Sequence, residues 1–210
     1  MGQVRRKLSH WGTDNFAAYP WRTEGNPWVA LAAEVLLQRT RASAVRAVYA
    51  DFKRAFGSPG RLAVASEAEV EAVLGSLGLH WRTRLLCDLA KEVEERGRVP
   101  DDLTELKSLP GVGDYVAGAY LSLHREIRAV LIDANIVRWV CRLVGVEWNG
   151  ETRRRKWLRE EVEKLTPRRG FRSFNYALLD FTMTICVKRP RCMECPLKRC
   201  CVYGVGLAAD

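Results

Sequence analysis

The chain has 210 residues, of which 48% are hydrophobic and 28% charged, a composition typical of a soluble globular protein rather than a disordered one. No run of about 18 apolar residues occurs, and the basic N-terminal segment MGQVRRKLSHWG lacks the apolar stretch of a signal peptide, so we expect neither a membrane span nor export. The 34 Lys and Arg against 25 Asp and Glu give a net charge of +9, which favours a polyanionic partner but also fits a plain solvated surface.

The predicted elements are helices joined by short turns. Asn26 followed by Pro27 predicts an N-cap and a first-turn proline, opening a helix with one apolar face. Ser66 and Glu69 predict a capping box further along. The apolar run at 129–133 has the composition of a strand but no partner strand, so it is predicted to lead into a helix, and the fold class is all-α. Further helices are predicted at residues 43–56, 82–96, 102–108, 114–123, 134–145, 153–165 and 173–185.

The segment LPGVGDYVAGAYL, residues 109–121, places Pro110, Gly111 and Gly113 between two of these helices. Proline ends the first helix, and both glycines are predicted to permit a tight turn with positive φ that leaves backbone N–H groups uncovered. Amides at the start of a helix suit an anion such as a phosphate, although a plain helix–helix turn would have the same sequence.

Five of the seven cysteines lie in CVKRPRCMECPLKRCC, residues 186–201, named here the cysteine loop. In a reducing cytosol, clustered cysteines bind metal or act in redox chemistry more often than they form disulfides. Four thiolates are the usual ligand set of a [4Fe-4S] cluster, whereas structural zinc sites usually use two separated C-x-x-C knuckles. The loop has one C-x-x-C, from Cys192 to Cys195, which favours an iron–sulfur cluster over zinc or a metal-free group of thiols.

Six segments follow one another along the chain: YPWR (19–22), EVLLQRT (34–40), GLHWRTRLL (78–86), LPGVGDYVAGAYLSL (109–123), IDANIVRWVCR (132–142) and FNYALLDFTMTIC (174–186). Their order resembles the helix-hairpin-helix (HhH-GPD) DNA glycosylase superfamily in its iron–sulfur branch, which includes A/G-specific adenine glycosylases and mismatch thymine glycosylases. The resemblance implies an all-α fold of two lobes with DNA and the flipped base between them. The expected lobes are a helical barrel over 24–133, containing the hairpin, and an iron–sulfur lobe made of 1–23 and 134–210.

The resemblance also selects the cluster ligands. The family spacing C-x6-C-x2-C-x5-C is nearly met by Cys186, Cys192, Cys195 and Cys201, with five rather than six residues in the first gap. Cys200 is the alternative fourth ligand, but it would shorten the last gap. The implied cofactor is a [4Fe-4S] cluster.

Two carboxylates are the expected catalytic acids and bases. Asp133 matches the family's catalytic aspartate, which stabilises the oxocarbenium-like sugar. It also has the sequence of an N-cap, and helix amides would then keep it ionised and oriented. Glu34 lies in the apolar run WVALAAEVLL, where desolvation favours its protonated form, and it resembles the general acid of adenine glycosylases. The alternative for Glu34 is a solvent-facing glutamate.

Tyr115 decides the subclass. The endonuclease III branch has a lysine at the corresponding position, whose amine attacks the sugar. Without that amine, the resemblance implies a monofunctional glycosylase rather than a bifunctional one that also nicks the strand. Adenine glycosylases commonly have serine there and mismatch thymine enzymes have tyrosine. We therefore expect removal of T or U opposite G, unless Tyr115 is simply a partly buried core residue. The alternative functions are adenine removal and a non-catalytic DNA-binding module that keeps the hairpin and the cluster as structure.

The remaining expectations concern the partner. We expect a monomer in the cytoplasm, associated with the nucleoid, that binds double-stranded DNA containing a mismatched or damaged base and no membrane. Gln38 and Arg39 match a segment inserted into the DNA stack, and Trp81 a residue that wedges between bases, but each could equally be an ordinary solvated or core residue. The full set of expected DNA contacts is Gly111, Val112 and Gly113 through their amides, with Gln38, Arg39, Trp81 and Asn135.

Overall fold

The structure is a computed structural model that describes residues 1–78 and 80–206, leaving out the side chains of His80 and Arg82. Over these residues the chain is helical and contains no β-strand, so the all-α prediction is confirmed. None of the described helices has the length and apolar content needed to cross a membrane. The α-helices are α1 Gly2–Asn15, α2 Pro27–Leu36, α3 Ala42–Phe56, α4 Pro59–Ala63, α5 Glu67–Leu74, α6 His80–Arg96, α7 Leu103–Lys107, α8 Asp114–Ala119, α9 Ala134–Val144, α10 Lys156–Leu165, α11 Phe171–Thr184 and α12 Val202–Gly206. Shorter 3-10 turns lie at Pro20–Thr23, Gly75–Leu77, Thr152–Arg154 and Lys198–Cys200.

The start signals of the helices are confirmed. The side chain of Asn26 accepts hydrogen bonds from the first-turn amides of α2, and Ser66 and Glu69 form the predicted capping box of α5. The helix predicted over 114–123 is not α-helical throughout. The α-helical part, α8, ends at Ala119, and the chain continues directly as a π-helical turn, Tyr120–His124. Such turns carry one extra residue and are frequent at functional sites.

The chain divides into two compact units, the continuous Ala18–Ile127 and a discontinuous one made of Met1–Ala17 and Arg128–Asp210. Asp133 belongs to the discontinuous unit, whereas the sequence placed it at the end of the barrel lobe. The two lobes with their predicted roles stay a prediction.

Helix α2 lies at the centre of the continuous unit. It contacts α3, α6, α8 and the π-turn, and every residue from Trp28 to Leu36 is buried. The predicted apolar face is buried, and the rest of the helix is buried with it, as is typical of a helix that is hydrophobic nearly all round. Trp28 Nε1 donates to the carbonyl of Phe56 at 2.9 Å, which satisfies its buried polar atom. This packing carries Glu34 into the interior.

In the discontinuous unit α9 is the central helix, contacting α10, α11 and α12, and α1 packs along α11. The ring of Trp11 meets Phe181 edge-on, with centroids 5.4 Å apart. Gly12 lets the two helices approach closely, because an added Cβ would overlap the Cβ of Ala177. The close packing of α1 on α11 thus joins two segments that lie far apart in the sequence.

Gly12→Ala should therefore destabilise the folded protein by about 1–3 kcal/mol, despite the higher helix propensity of alanine, because the new methyl has no room beside α11. Gly2→Ala in the same helix is the matched control, since a Cβ at Gly2 meets no described atom within 4 Å. Urea unfolding measures both. Equal free energies of unfolding for the two variants would contradict the packing described here.

Candidate functional site

The hairpin between α7 and α8 turns at Gly111. Its φ of +75° lies in the left-handed region, and a Cβ there would lie 2.5 Å from the side chain of Leu85, so glycine is needed as predicted. Gly113 differs, because its φ of −88° is open to any residue and the predicted positive φ was wrong. Gly113 is exposed and immediately precedes α8. Gly113 contributes to the site a backbone that no side chain covers, rather than an unusual backbone conformation.

The hairpin amides are not equally available. The N–H of Val112 donates to the carbonyl of Leu109 at 3.2 Å, and its side chain is buried. Helix α8 begins without a side-chain cap, which leaves its first-turn amides as donors. Lys107 Nζ pairs with Asp114 Oδ1 at 2.7 Å. The donors suited to an anion are therefore at the start of α8 rather than at Val112.

Gln38 and Arg39 follow α2 directly. The side-chain amide of Gln38 donates to the carbonyl of Gly111 at 2.9 Å, which attaches this segment to the hairpin turn. Arg39 is exposed and has φ +54°, a left-handed conformation uncommon for a residue with a side chain. Backbone conformations of this kind are found preferentially at ligand-binding and catalytic sites.

Glu34 is a buried carboxyl group, which excludes the solvent-facing alternative. Its side chain is 3% exposed, and its Oε1 lies 2.8 Å from Nε2 of His124, which is 1% exposed. His124 is the last residue of the π-turn. Sequence analysis missed this histidine, because no spacing rule connects positions 34 and 124.

Two further candidate residues lie in the continuous unit. Tyr115 is partly buried in the first turn of α8, directly after the hairpin. Trp81 is 50% exposed in the first turn of α6. A tryptophan so exposed is not a core residue, which leaves it accessible to a ligand.

Asp133 caps α9, as predicted. Its Oδ1 accepts from the backbone N–H of Ile136 at 2.7 Å, and its Oδ2 accepts from the side-chain amide of Asn135 at 3.1 Å. Burial raises the pKa of Asp133 above its usual value of 3.8, and the donors from Ile136 and Asn135 offset this only in part. The helix amide and the Asn135 side chain orient the carboxyl group as expected and favour its ionised form, while desolvation acts in the opposite direction and is the larger effect.

A buried guanidinium connects the Asp133 end of α9 to the cysteine loop. Arg138 Nη1 donates to Asn135 Oδ1 at 3.0 Å. Its Nε and Nη2 donate to the carbonyl of Cys186 at 3.1 and 2.8 Å, and Nη2 also donates to the carbonyl of Thr182 at 3.0 Å. Asn135, expected to contact DNA, is thus held between Asp133 and Arg138.

The cysteines selected by the resemblance line a single cavity. Of the five loop cysteines, Cys200 does not line it. No group of three or more His, Cys, Asp or Glu side chains within 1–78 and 80–206 is arranged to hold a metal ion. The lining includes Cys186, Cys192, Cys195 and Cys201, with Trp139, Arg142, Phe181, Ile185, Leu197 and Tyr203.

Arg142 closes this cavity from α9. Its Nη1 and Nη2 donate to the carbonyls at positions 187 and 188 at 2.7 and 2.8 Å, and Nη1 lies 3.5 Å from Cys186 Sγ. The guanidinium also lies over the rings of Trp148 and Tyr203, 5.7 and 5.1 Å from their centroids. Sequence analysis missed Arg138 and Arg142, although two arginines four positions apart in the apolar run IVRWVCRLV indicate a buried charged stripe.

Burial raises the pKa of the thiols of Cys192, Cys195 and Cys201, that of Cys195 to about 11. These thiols are therefore protonated at neutral pH and are weak nucleophiles. Metal ligation requires thiolates, so binding of a metal here would displace protons from these side chains.

The sequence model of one protein family, the HhH-GPD superfamily base excision DNA repair proteins, matches residues 32–167. This match spans more than half of the chain. The chain belongs to the HhH-GPD superfamily. The predicted family is thus confirmed, and with it the prediction of a DNA glycosylase, an enzyme that hydrolyses N-glycosidic bonds.

Individual relatives of the chain and a solved structure agree with the assignment to this superfamily. A thymine-DNA glycosylase of Aeropyrum pernix is 36% identical, over 95% of this chain and 93% of its own. An adenine DNA glycosylase of Mycobacterium tuberculosis is 34% identical, over 95% of this chain and 67% of its own. The solved structure of a thermostable thymine-DNA glycosylase matches with a TM-score of 0.91 and 30% identity, covering 97% of this chain and 95% of that one.

The desolvation of Asp133 predicts the pH dependence of base release. If the carboxylate form is required, the single-turnover rate should fall as pH drops through the raised pKa of Asp133, above its usual 3.8. Asn135→Leu removes a donor that lowers this pKa, so the acid limb should move to higher pH. Asn15→Leu is the control, because Asn15 is exposed and bonds within its own helix. An acid limb that is the same for both variants would contradict the assignment.

Proposed function

We propose that the chain is a monofunctional mismatch glycosylase that removes thymine or uracil opposite guanine. The observation that carries the proposal is Tyr115, which follows the hairpin where the strand-nicking branch of the superfamily has lysine. The lysine of the hairpin itself, Lys107, is paired with Asp114. A tyrosine hydroxyl cannot form the imine through which an amine holds the sugar, so base release leaves an abasic site in an intact strand. The thymine-specific relatives support this choice of base.

Asp133 acts on the sugar. Departure of the base leaves positive charge on the ring, and a nearby carboxylate stabilises it and helps water to add. The Ile136 amide and the Asn135 side chain hold one carboxylate oxygen each, so the group needs little reorganisation when charge develops. Partial burial strengthens the interaction, because the local dielectric is lower than that of water.

Glu34 and Tyr115 act on the base. A pyrimidine leaves with negative charge, which a positioned acid can neutralise by protonation or by a hydrogen bond. Glu34 is suited to this role because its side chain is 3% exposed, in a helix packed against α3, α6, α8 and the π-turn. Tyr115, which lies in the same unit, supplies a phenolic hydroxyl group and helps to select the base.

The hairpin holds the DNA. The amides at Gly113 and in the first turn of α8 bind a backbone phosphate, and the net charge of +9 attracts the duplex. Gln38, Arg39 and Trp81 fill the space left by the flipped nucleotide. The hydrogen bond from Gln38 to the carbonyl of Gly111 keeps the Gln38–Arg39 segment next to the phosphate site. The partner is double-stranded DNA with a mismatched or damaged base, bound by a monomer.

The cofactor is a [4Fe-4S] cluster held by Cys186, Cys192, Cys195 and Cys201. It takes no part in base release and instead fixes the fold of the basic cysteine loop for DNA binding. The common cavity of these four thiols supports this assignment. The continuous unit serves as the hairpin lobe and the discontinuous unit as the iron–sulfur lobe. The protein acts in the cytoplasm at the nucleoid.

Adenine removal is the second candidate. Glu34 favours it, because its place in EVLLQ matches the general acid of adenine glycosylases, and an adenine glycosylase is among the relatives. Tyr115 argues against it, since serine is the commoner residue there in that subclass.

Single-turnover base release from matched duplexes with T·G, U·G, A·G or A·8-oxoguanine distinguishes the two candidates. We expect release of T and U opposite G, with strand breaks only after alkali. Asp133→Asn should slow release at least about 100-fold, the range of a lost charge-stabilising group, with little loss of DNA binding. Release of adenine alone would assign the chain to the adenine subclass, and strand breaks without alkali would refute the monofunctional proposal.

A matched pair of variants tests whether Cys201 or Cys200 is the fourth ligand of the cluster. Cys201→Ser should lower the iron content and the visible absorbance of the purified protein, because it removes a thiol that lines the cavity. Cys200→Ser, one position away and outside the lining, should retain both. The reverse result would make Cys200 the fourth ligand, and zinc in place of iron in the unchanged protein would refute the iron–sulfur cluster.

A further inference from the structure

The buried pair of Glu34 and His124 raises a question that the proposed reaction leaves open, namely which carboxyl oxygen carries the proton. Oε1 of Glu34 lies 2.8 Å from Nε2 of His124, and both side chains are almost completely buried. The pair lies within the continuous unit, between α2 and the end of the π-turn. Water therefore does not set its protonation pattern, and the neighbouring groups must.

The π-turn positions the imidazole. Residues Tyr120 to Leu123 are buried, and the turn contacts α2. The ring of Tyr120 stacks on the ring of His124, with centroids 6.3 Å apart and planes inclined by 27°. The neighbouring basic residue, Arg125, is held away by a bidentate pair with Asp101 at 2.6 and 2.8 Å. The His124 imidazole is thus the hydrogen-bond partner that the structure provides for Glu34.

The second ring nitrogen indicates the tautomer. His124 Nδ1 is buried and has no hydrogen-bond partner in the described part of the chain. A proton on Nδ1 would leave a buried donor unpaired, which costs more than leaving a buried lone pair unpaired. A neutral imidazole with its proton on Nε2 avoids that cost and donates to Glu34 Oε1. Oε1 is then an acceptor in every protonation state of Glu34.

We infer that His124 is the positioning residue of Glu34: by donating to Oε1 it directs the carboxylic acid proton to Oε2, the oxygen that meets the departing base. The inference rests on the proposed role of Glu34. His124 touches neither base nor sugar, and its effect on the reaction passes through the carboxyl group alone.

His124→Phe and His124→Gln in the full-length, iron-loaded protein test this role. Phenylalanine keeps a planar ring against Tyr120 but has no donor. Single-turnover release should slow about 10- to 100-fold, the effect of losing a hydrogen bond to the carboxylate that forms as Glu34 gives up its proton. Glutamine restores an amide N–H at similar reach, so its rate should stay within about threefold of the unchanged protein. Affinity for mismatched DNA should not change in either variant.

Glu34→Gln separates this inference from the proposed function. In a Glu34→Gln background, His124→Phe should cause no further loss, because the two residues act as one unit. Full activity of Glu34→Gln would refute the proposed role of Glu34 and the inference with it. Slow Glu34→Gln with fully active His124→Phe would overturn the inference alone.

Lack of rescue is the other decisive result. If His124→Gln is as slow as His124→Phe while both melt at the same temperature, donation to Oε1 is not what His124 contributes, and the inference is overturned. If His124→Phe does not fold, His124→Asn replaces it, because the shorter amide cannot reach Glu34 and should be as slow as a variant without a donor. Full activity of His124→Asn would then overturn the inference.

Discussion

The buried guanidinium of Arg138 is the constraint on which the discontinuous unit depends. A charged group at 8% exposure must have its donors satisfied, and here the acceptors come from Asn135, Thr182 and Cys186. Breaking a buried charged network costs about 3–5 kcal/mol. Helix α9 therefore cannot move relative to the cysteine loop without leaving donors unpaired. The carboxylate of Asp133, bonded to Asn135, is at one end of a continuous chain of hydrogen bonds whose other end is the loop.

The features that sequence analysis predicted correctly are those set by near neighbours in the chain. Asn26, Ser66 and Asp133 each cap a helix through amides two or three positions away, so the residue types alone indicate the structure. The positive φ of Gly111 was predicted correctly for the same reason. The same prediction for Gly113 was wrong, because a second glycine in a turn need not share the conformation of the first.

The features that were missed depend on residues far apart in sequence. Glu34 meets His124 across 90 positions, and Arg138 meets Cys186 across 48. A single glutamate in an apolar run indicates that something must satisfy it, but the partner is decided by how α2 and the π-turn pack. The raised pKa of Asp133 has the same origin, since the sequence shows the helix that it caps and not the burial that outweighs the helix amides.

The pairing of α1 with α11 has a consequence for synthesis on the ribosome. Helix α1 emerges well before its partner, because Ala177, which packs against Gly12, follows 165 positions later, about 8 to 33 seconds at ordinary elongation rates. The continuous unit can fold before that interval ends, because all its residues, Ala18–Ile127, leave the ribosome within it. The side of α1 around Gly12, which packs along α11 in the finished protein, has no partner until α11 arrives. Helix α1 therefore waits longer for its packing partner than the helices of the continuous unit do, and it needs protection from aggregation during that time.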